Sequence, residues 1–165
     1  MTERMQIAHE LLKMLGCPSI GGRTWDHAIT LKVNTPLPLP EGEVLIKGFH
    51  ARIDSKLLGR NWARKRAVER TFFVFIPEYG VSCSDLHYHG LISWPPVHRH
   101  RVNPALIEAC WVNVAERGTV HLADIADVEG WARYCVTEKG NGSNRVLTRH
   151  VTEFISSSMF LAKHE

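Results

Sequence analysis

Two histidines flank a tyrosine, His87-Tyr88-His89, inside the apolar run Leu86-His87-Tyr88-His89-Gly90-Leu91-Ile92-Ser93-Trp94. Successive side chains on a strand point to opposite faces, so His87 and His89 share one face. Two imidazoles on one rigid face are half of a metal site, and a bound divalent metal polarises a phosphate for attack. A second segment offers the remaining groups. Trp131, Tyr134, Cys135 and Glu138 follow the spacing i, i+3, i+4, i+7 of one helix face. The Tyr134 phenol is the candidate nucleophile. With an ordinary pKa of roughly 10 it is weak alone, and charge neutralisation at the phosphate by a metal compensates. Its attack leaves a phosphotyrosine that keeps the bond energy for rejoining. Glu138, one turn past Tyr134, completes a His87, His89, Glu138 set. Two imidazoles and one carboxylate with open positions suit Mn²⁺ or Mg²⁺ when a phosphate supplies further oxygens. Taken singly, each residue has a plainer role: a structural His-x-His, a half-buried packing tyrosine, a solvated glutamate, and a Lys139 that favours a helix C-terminus.

The elements that must position these groups are readable from periodicity. Apolar spacing predicts a short amphipathic helix over 2–15, ended by Gly16 and Pro18. A strand is expected over 25–34 and a helical region over 41–69, interrupted near Gly59. A strand over 71–76 is followed by a turn region over 77–84, then by the histidine strand, which stops at Pro95-Pro96. A helix over 104–115, a strand over 119–125 and a last clear helix over 128–139 complete the pattern, with a tail that forms at most a weak final helix. The major elements therefore run strand, helix, strand, strand, helix, strand, helix. This order predicts an α+β fold, a central antiparallel sheet with helices on one face. One domain is expected over 1–165, with an N-terminal helix and loop over 1–22 and a tail over 141–165.

The formal net charge is +3, unevenly spread. Arg52, Lys56, Arg60, Arg64, Lys65, Arg66 and Arg70 face only Asp54 and Glu69 across 51–70, a local balance of +5. Arg99 and Arg101 lie in a second cluster, His98-Arg99-His100-Arg101. Such clusters fit a polyanionic partner. The four cysteines, Cys17, Cys83, Cys110 and Cys135, form no CxxC pair and read as reduced thiols. No signal segment, phosphate-binding GxxxxGK[ST] loop or bilayer-length apolar run is present, so an intracellular protein without membrane attachment is expected.

The joint order of these motifs over 25–140 resembles the HUH endonucleases, specifically the single-tyrosine rolling-circle replication initiators (Rep). His87-Tyr88-His89 is similar to the family's His-hydrophobic-His strand. Ile29-Thr30-Leu31-Lys32-Val33-Asn34 is similar to its first motif, and the segment around Tyr134 to its tyrosine helix. The lysine many initiators carry three residues after the tyrosine is Thr137 here. Lys139 lies two residues later, and Tyr134 with Glu138 is closer to the pattern of HUH transposases. The resemblance implies an RRM-like antiparallel sheet and metal-dependent nicking of a single-stranded or hairpin DNA origin. It further implies a 5′-phosphotyrosine on Tyr134 and a released 3′-hydroxyl that initiates rolling-circle replication or is rejoined. Arg52, Lys56, Arg60, Arg64, Lys65 and Arg66 would track the DNA backbone, with Arg99 and Arg101 as further phosphate contacts. Trp62 and Trp94 would stack on bases. A host helicase would be needed as partner, unless the chain is one domain of a longer protein. The cellular compartment would be bacterial cytoplasm, or the nucleus for a eukaryotic virus or element. Two other readings stand beside this one. The first is a nuclease-dead module that binds single strands on the same sheet. The second is a metal-dependent phosphodiesterase that uses His87 and His89 without Tyr134.

Overall fold

The computed structural model describes residues 2–17, 19–20, 22–80, 85–139, 145–147 and 150–160, with backbone alone at 20, 138, 139 and 145–147. Helix α1 (Glu3–Gly16) is capped by the Thr2 hydroxyl, which accepts from the Met5 amide. A small hairpin, β1 (Ser19–Ile20) with β2 (Arg23–Thr24), leads into β3 (His27–Lys32). Helix α2 (Leu39–Leu58) ends at Gly59, whose φ of 82° suits a residue without Cβ. Strands β4 (Phe72–Tyr79) and β5 (Leu86–Ser93) are followed by α3 (Pro104–Val112), β6 (Thr119–Asp124) and α4 (Val128–Val136). Two short strands, β7 (Thr137–Lys139) and β8 (Arg145–Leu147), pair with each other, and β9 (Ile155–Ser156) closes the main sheet. The expected order of the major elements is therefore present.

The main sheet is antiparallel, in the order β6-β3-β5-β4-β9. Both its faces are covered, where helices on one face only were expected. On one face α2 and α3 bury Ile46, Phe49, Ile53, Ile107 and Trp111 against Leu31, Phe75, Tyr88 and Ile92. On the other, α1 and α4 bury Leu11, Leu15, Ala132 and Cys135 against Ala28, Val74, Ile76 and Leu91. Strand β4 explains this: Phe73 and Phe75 face one side and Val74 and Ile76 the other, and such a strand needs cover on both sides. Gly90 lies where a Cβ would run into the Val74 carbonyl and the Phe75 ring, so that neighbour can pack flat across the strand.

Four further expectations change. Strand β4 continues through Pro77 and Glu78 to Tyr79, where a turn was expected. Strand β9 pairs with Val74 and Phe75, and among the described residues no strand pairs with the outer edge of β4 at Pro77. The missing N–H costs no ladder bond there. Helix α4 stops at Val136, not at 139, and Thr137–Lys139 is strand. In the tail, 3-10 turns at Val151–Glu153 and Ser157–Phe160 flank β9 in place of a final helix. Trp94 is fully buried, its indole N–H donating to His27, and so offers no surface for base stacking. Trp62 lies under the Arg70 guanidinium. Cys17, Cys110 and Cys135 are free thiols, and Cys83 lies outside the described residues. No described helix is long and apolar enough to cross a membrane.

A candidate metal centre beside Tyr134

The register of the sheet assembles the site. His87 pairs with Lys32 and Glu78, and His89 pairs with Thr30 and Ile76. Directly opposed residues of antiparallel strands share a face. Glu78, His87, His89, Thr30 and Lys32 therefore lie together on the α4 side, past the apolar patch that α1 and α4 cover. Thr30 also pairs with His121, and Lys32 with Thr119, which extends this polar surface to the edge strand.

Glu78 Oε2 is 3.2 Å from His89 Nε2 and 3.7 Å from His87 Nε2. The three candidate ligand atoms lie within 4.8 Å of one another. Neighbouring ligands of an ion at about 2.1 Å lie about 3.0–3.4 Å apart, so the widest pair would have to close by up to about 1.5 Å to share one. The far sides of both rings are anchored. His87 Nδ1 is 3.1 Å from the Asp85 carbonyl, and His89 Nδ1 is 3.0 Å from the Thr30 hydroxyl.

This anchoring is the test of fit for a metal. A carbonyl only accepts, so His87 Nδ1 must carry a hydrogen and donate it. The neutral ring then aims the Nε2 lone pair at a carboxylate, and only a cation or a proton makes that arrangement favourable. The titration behaviour agrees. Burial pushes the Glu78 carboxyl upward, but hydrogen bonds and charge from His87 and His89 outweigh it and hold it at about 2. Burial works against the charged form of His87 too, and its bonds to Glu78 and the Asp85 carbonyl raise its pKa above the ordinary 6.5. The same geometry that favours a proton at His87 would favour a metal ion. The side chains of all three residues are largely enclosed, 22% exposed for Glu78, 13% for His87 and 10% for His89. A His/His/Glu cluster of this kind could hold a divalent ion.

Helix α4 brings Tyr134 over this cluster. Asp127 caps the helix by accepting from the Gly130 amide at 2.9 Å, and Ala132, Cys135 and Val136 bury its inner face. Tyr134 is left at the rim, 37% exposed. Its ring stands edge-on to His89 at 5.0 Å between centroids and against Trp131 at 5.3 Å. Asp127, Gly130, Trp131 and Tyr134 line a cleft of about 240 Å³.

The structure brings together His87, His89 and Tyr134 and adds Glu78, which sequence reasoning missed. It removes the helical argument for Glu138. With α4 ended at Val136, Glu138 is not one helical turn past Tyr134, and in β7 its backbone pairs with Val146 of β8. The side chains of Glu138 and Lys139 lie outside what is described. The expected DNA-tracking residues stand apart from the cluster. Arg52 and Lys56 are on the outer side of α2, which packs on the opposite face of the sheet. The C-terminal half of α2 also lies at the far end of β4, where Asp54 accepts from the Arg70 side chain and the Thr71 amide. Arg60, Arg64, Lys65 and Arg66 continue from that end. Arg66 and Lys65 pair with Glu69, Arg99 pairs with Asp26, and Arg101 donates to the carbonyls of Leu57 and Lys56. Lys32, the direct cross-strand partner of His87, is a cation on the site's own face.

No family model, curated protein or solved structure matches the chain.

Proposed function

We propose that this chain is a metal-dependent endonuclease that nicks and rejoins single-stranded DNA, built on an RRM-like sheet of the HUH type. The observation that supports this reading is the edge-on placement of the Tyr134 ring against His89, with Glu78 and His87 beside it. Glu78, His87 and His89 would hold the ion, and imidazole donors favour Mn²⁺ over Mg²⁺. When bound, it supplies positive charge to the phosphate oxygens. Tyr134 is the nucleophile. Its oxygen bonds to phosphorus as the P–O3′ bond breaks, the phenolic proton passes to solvent, and the departing 3′ oxygen takes up a proton to become a hydroxyl. Reversal by a 3′-hydroxyl rejoins the strand. Thr30, Lys32 and His121 on the same face would carry the strand into the site, the Lys32 charge contributing a salt-dependent share of affinity. Such nicking of an origin is the step that initiates rolling-circle replication.

The test is incubation with an origin-like single-stranded oligonucleotide library and Mn²⁺, followed by denaturing electrophoresis and mass spectrometry. The expected result is cleavage with a covalent Tyr134 adduct that Tyr134→Phe abolishes. Cleavage that persists in Tyr134→Phe would assign the site to a phosphodiesterase instead. Binding without cleavage by the wild type would leave a nucleic-acid-binding module.

A further inference from the structure

The opposite face of the sheet carries a second feature, which does not depend on the nicking reaction. Tyr88 lies between the two histidines but points away from them, into the α2 side. It is fully buried, and its hydroxyl has no hydrogen-bond partner among the described residues. Phenylalanine would fill the same space without an orphaned polar atom. A second local rule is broken at the same point. Gly42 lies inside the first turns of α2, where glycine is disfavoured, and a Cβ there would run into the Tyr88 hydroxyl. The helix thus gives up a side chain to house a hydroxyl that bonds to none of the described residues.

Tyr88 lines a cleft of about 300 Å³ between the start of α2, the outer edge of β4 and the C-terminal segment. Leu39, Pro77, Phe154 and Met159 form apolar walls, and Glu43 and Glu153 bring carboxylates; the Glu153 carboxylate also faces His150 at 3.7 Å and accepts from the Thr152 hydroxyl at 2.9 Å. Burial, together with nearby Tyr79 and Glu43, raises the Tyr88 pKa above its ordinary 10.0. The phenol is therefore neutral and offers lone pairs to a cationic donor. Apolar walls, two carboxylates and a buried acceptor describe a ligand with a hydrocarbon middle and ammonium ends. We propose that this cleft between α2, β4 and the C-terminal segment binds a small aliphatic diamine.

The test is calorimetry of the full chain with 1,5-diaminopentane, with 1-aminopentane and matched NaCl as comparisons. Saturable binding is expected, with the diamine roughly tenfold or more tighter than the monoamine, the effect of one charge-assisted contact. Glu43 is exposed, so Glu43→Gln should keep the fold and weaken diamine binding by roughly tenfold. Tyr88→Phe should raise the melting temperature without ligand, since it removes an unpaired hydroxyl, and should also weaken binding. Excess Mn²⁺ should leave diamine affinity unchanged. The proposal is overturned if the wild type shows no saturable binding, if both variants bind as wild type does, or if Mn²⁺ displaces the diamine.

Discussion

Replacing Glu78 by glutamine separates a metal centre from a structural cluster. The carboxyl titrates at about 2 instead of its ordinary 4.5, a preference for the charged form of roughly 3 kcal/mol at ~1.36 kcal/mol per pH unit. A divalent cation shared by the same three groups should draw at least as much from that carboxylate as the imidazole protons do. Glu78→Gln is then expected to weaken Mn²⁺ binding by at least about 100-fold, since each 1.4 kcal/mol is tenfold. The same change should also cost the metal-free fold up to roughly 3 kcal/mol at neutral pH, because a depressed carboxyl pKa is itself stability that the charged form contributes. A glutamine amide offsets part of this by bringing an N–H donor to the His89 Nε2 that Glu78 faces at 3.2 Å. Thermal unfolding with and without Mn²⁺ reads both effects. At a metal concentration near 100 times Kd the wild type should gain about 2.7 kcal/mol, or about 5–10 °C for a chain of this size. The variant should melt below the metal-free wild type and gain nothing from Mn²⁺. A variant that binds Mn²⁺ within threefold of wild type, or that gains as much melting temperature from Mn²⁺ as wild type does, would refute the reasoning.

Three further outcomes follow from particular contacts. Thr30→Val keeps the shape but removes the oxygen that anchors His89 Nδ1. Metal affinity should fall by roughly 10- to 100-fold with little change in fold stability, checked by Mn²⁺ titration. Asp54 is fully buried and holds His50, Arg70 and the Thr71 amide. Asp54→Asn should destabilise by roughly 3–5 kcal/mol at neutral pH, because it leaves a buried guanidinium without its charge partner, measured by urea unfolding. Burial alone would raise the Asp54 pKa, but bonds from His50, Thr71 and Arg70 bring it below its ordinary 3.8. Its contribution is thus complete above 3.8 and drains away as pH falls through the depressed value. The stability gap between wild type and Asp54→Asn should therefore narrow on acidification below pH 3.8, and a gap that stays constant there would contradict the assignment.

Much of the fold was legible because it follows from local pattern. The two-residue period of β5 placed His87 and His89 on one face without any knowledge of the neighbours. Proline at the start of α3, Asp127 before α4 and Gly59 after α2 marked element ends through capping and backbone freedom. Where local rules misled, a non-local partner had decided the matter. Pro77 ends a strand in most settings, yet among the described residues no strand pairs with the outer edge of β4 at that position, so the strand continues and delivers Glu78. Residues 137–139 continue a helical pattern, yet β8 offers Thr137–Lys139 a pairing that wins. Amphipathicity predicted α2 but not the side of the sheet it would cover, and that side removes Arg52 and Lys56 from the histidine face.

By itself the sequence determined the strand that presents two imidazoles, the helix that carries Tyr134 and the order of the elements between them. These depend on periods of 2 and 3.6 residues and on caps, all contained within a dozen neighbouring positions. Only the tertiary structure decided that Glu78, nine residues from His87 along the chain, is its cross-strand partner. It also decided that Tyr134 rests on His89, and that the basic helix lies behind the sheet. Those outcomes depend on strand register and on which face each helix covers, and both are settled by burial of apolar surface over the whole molecule.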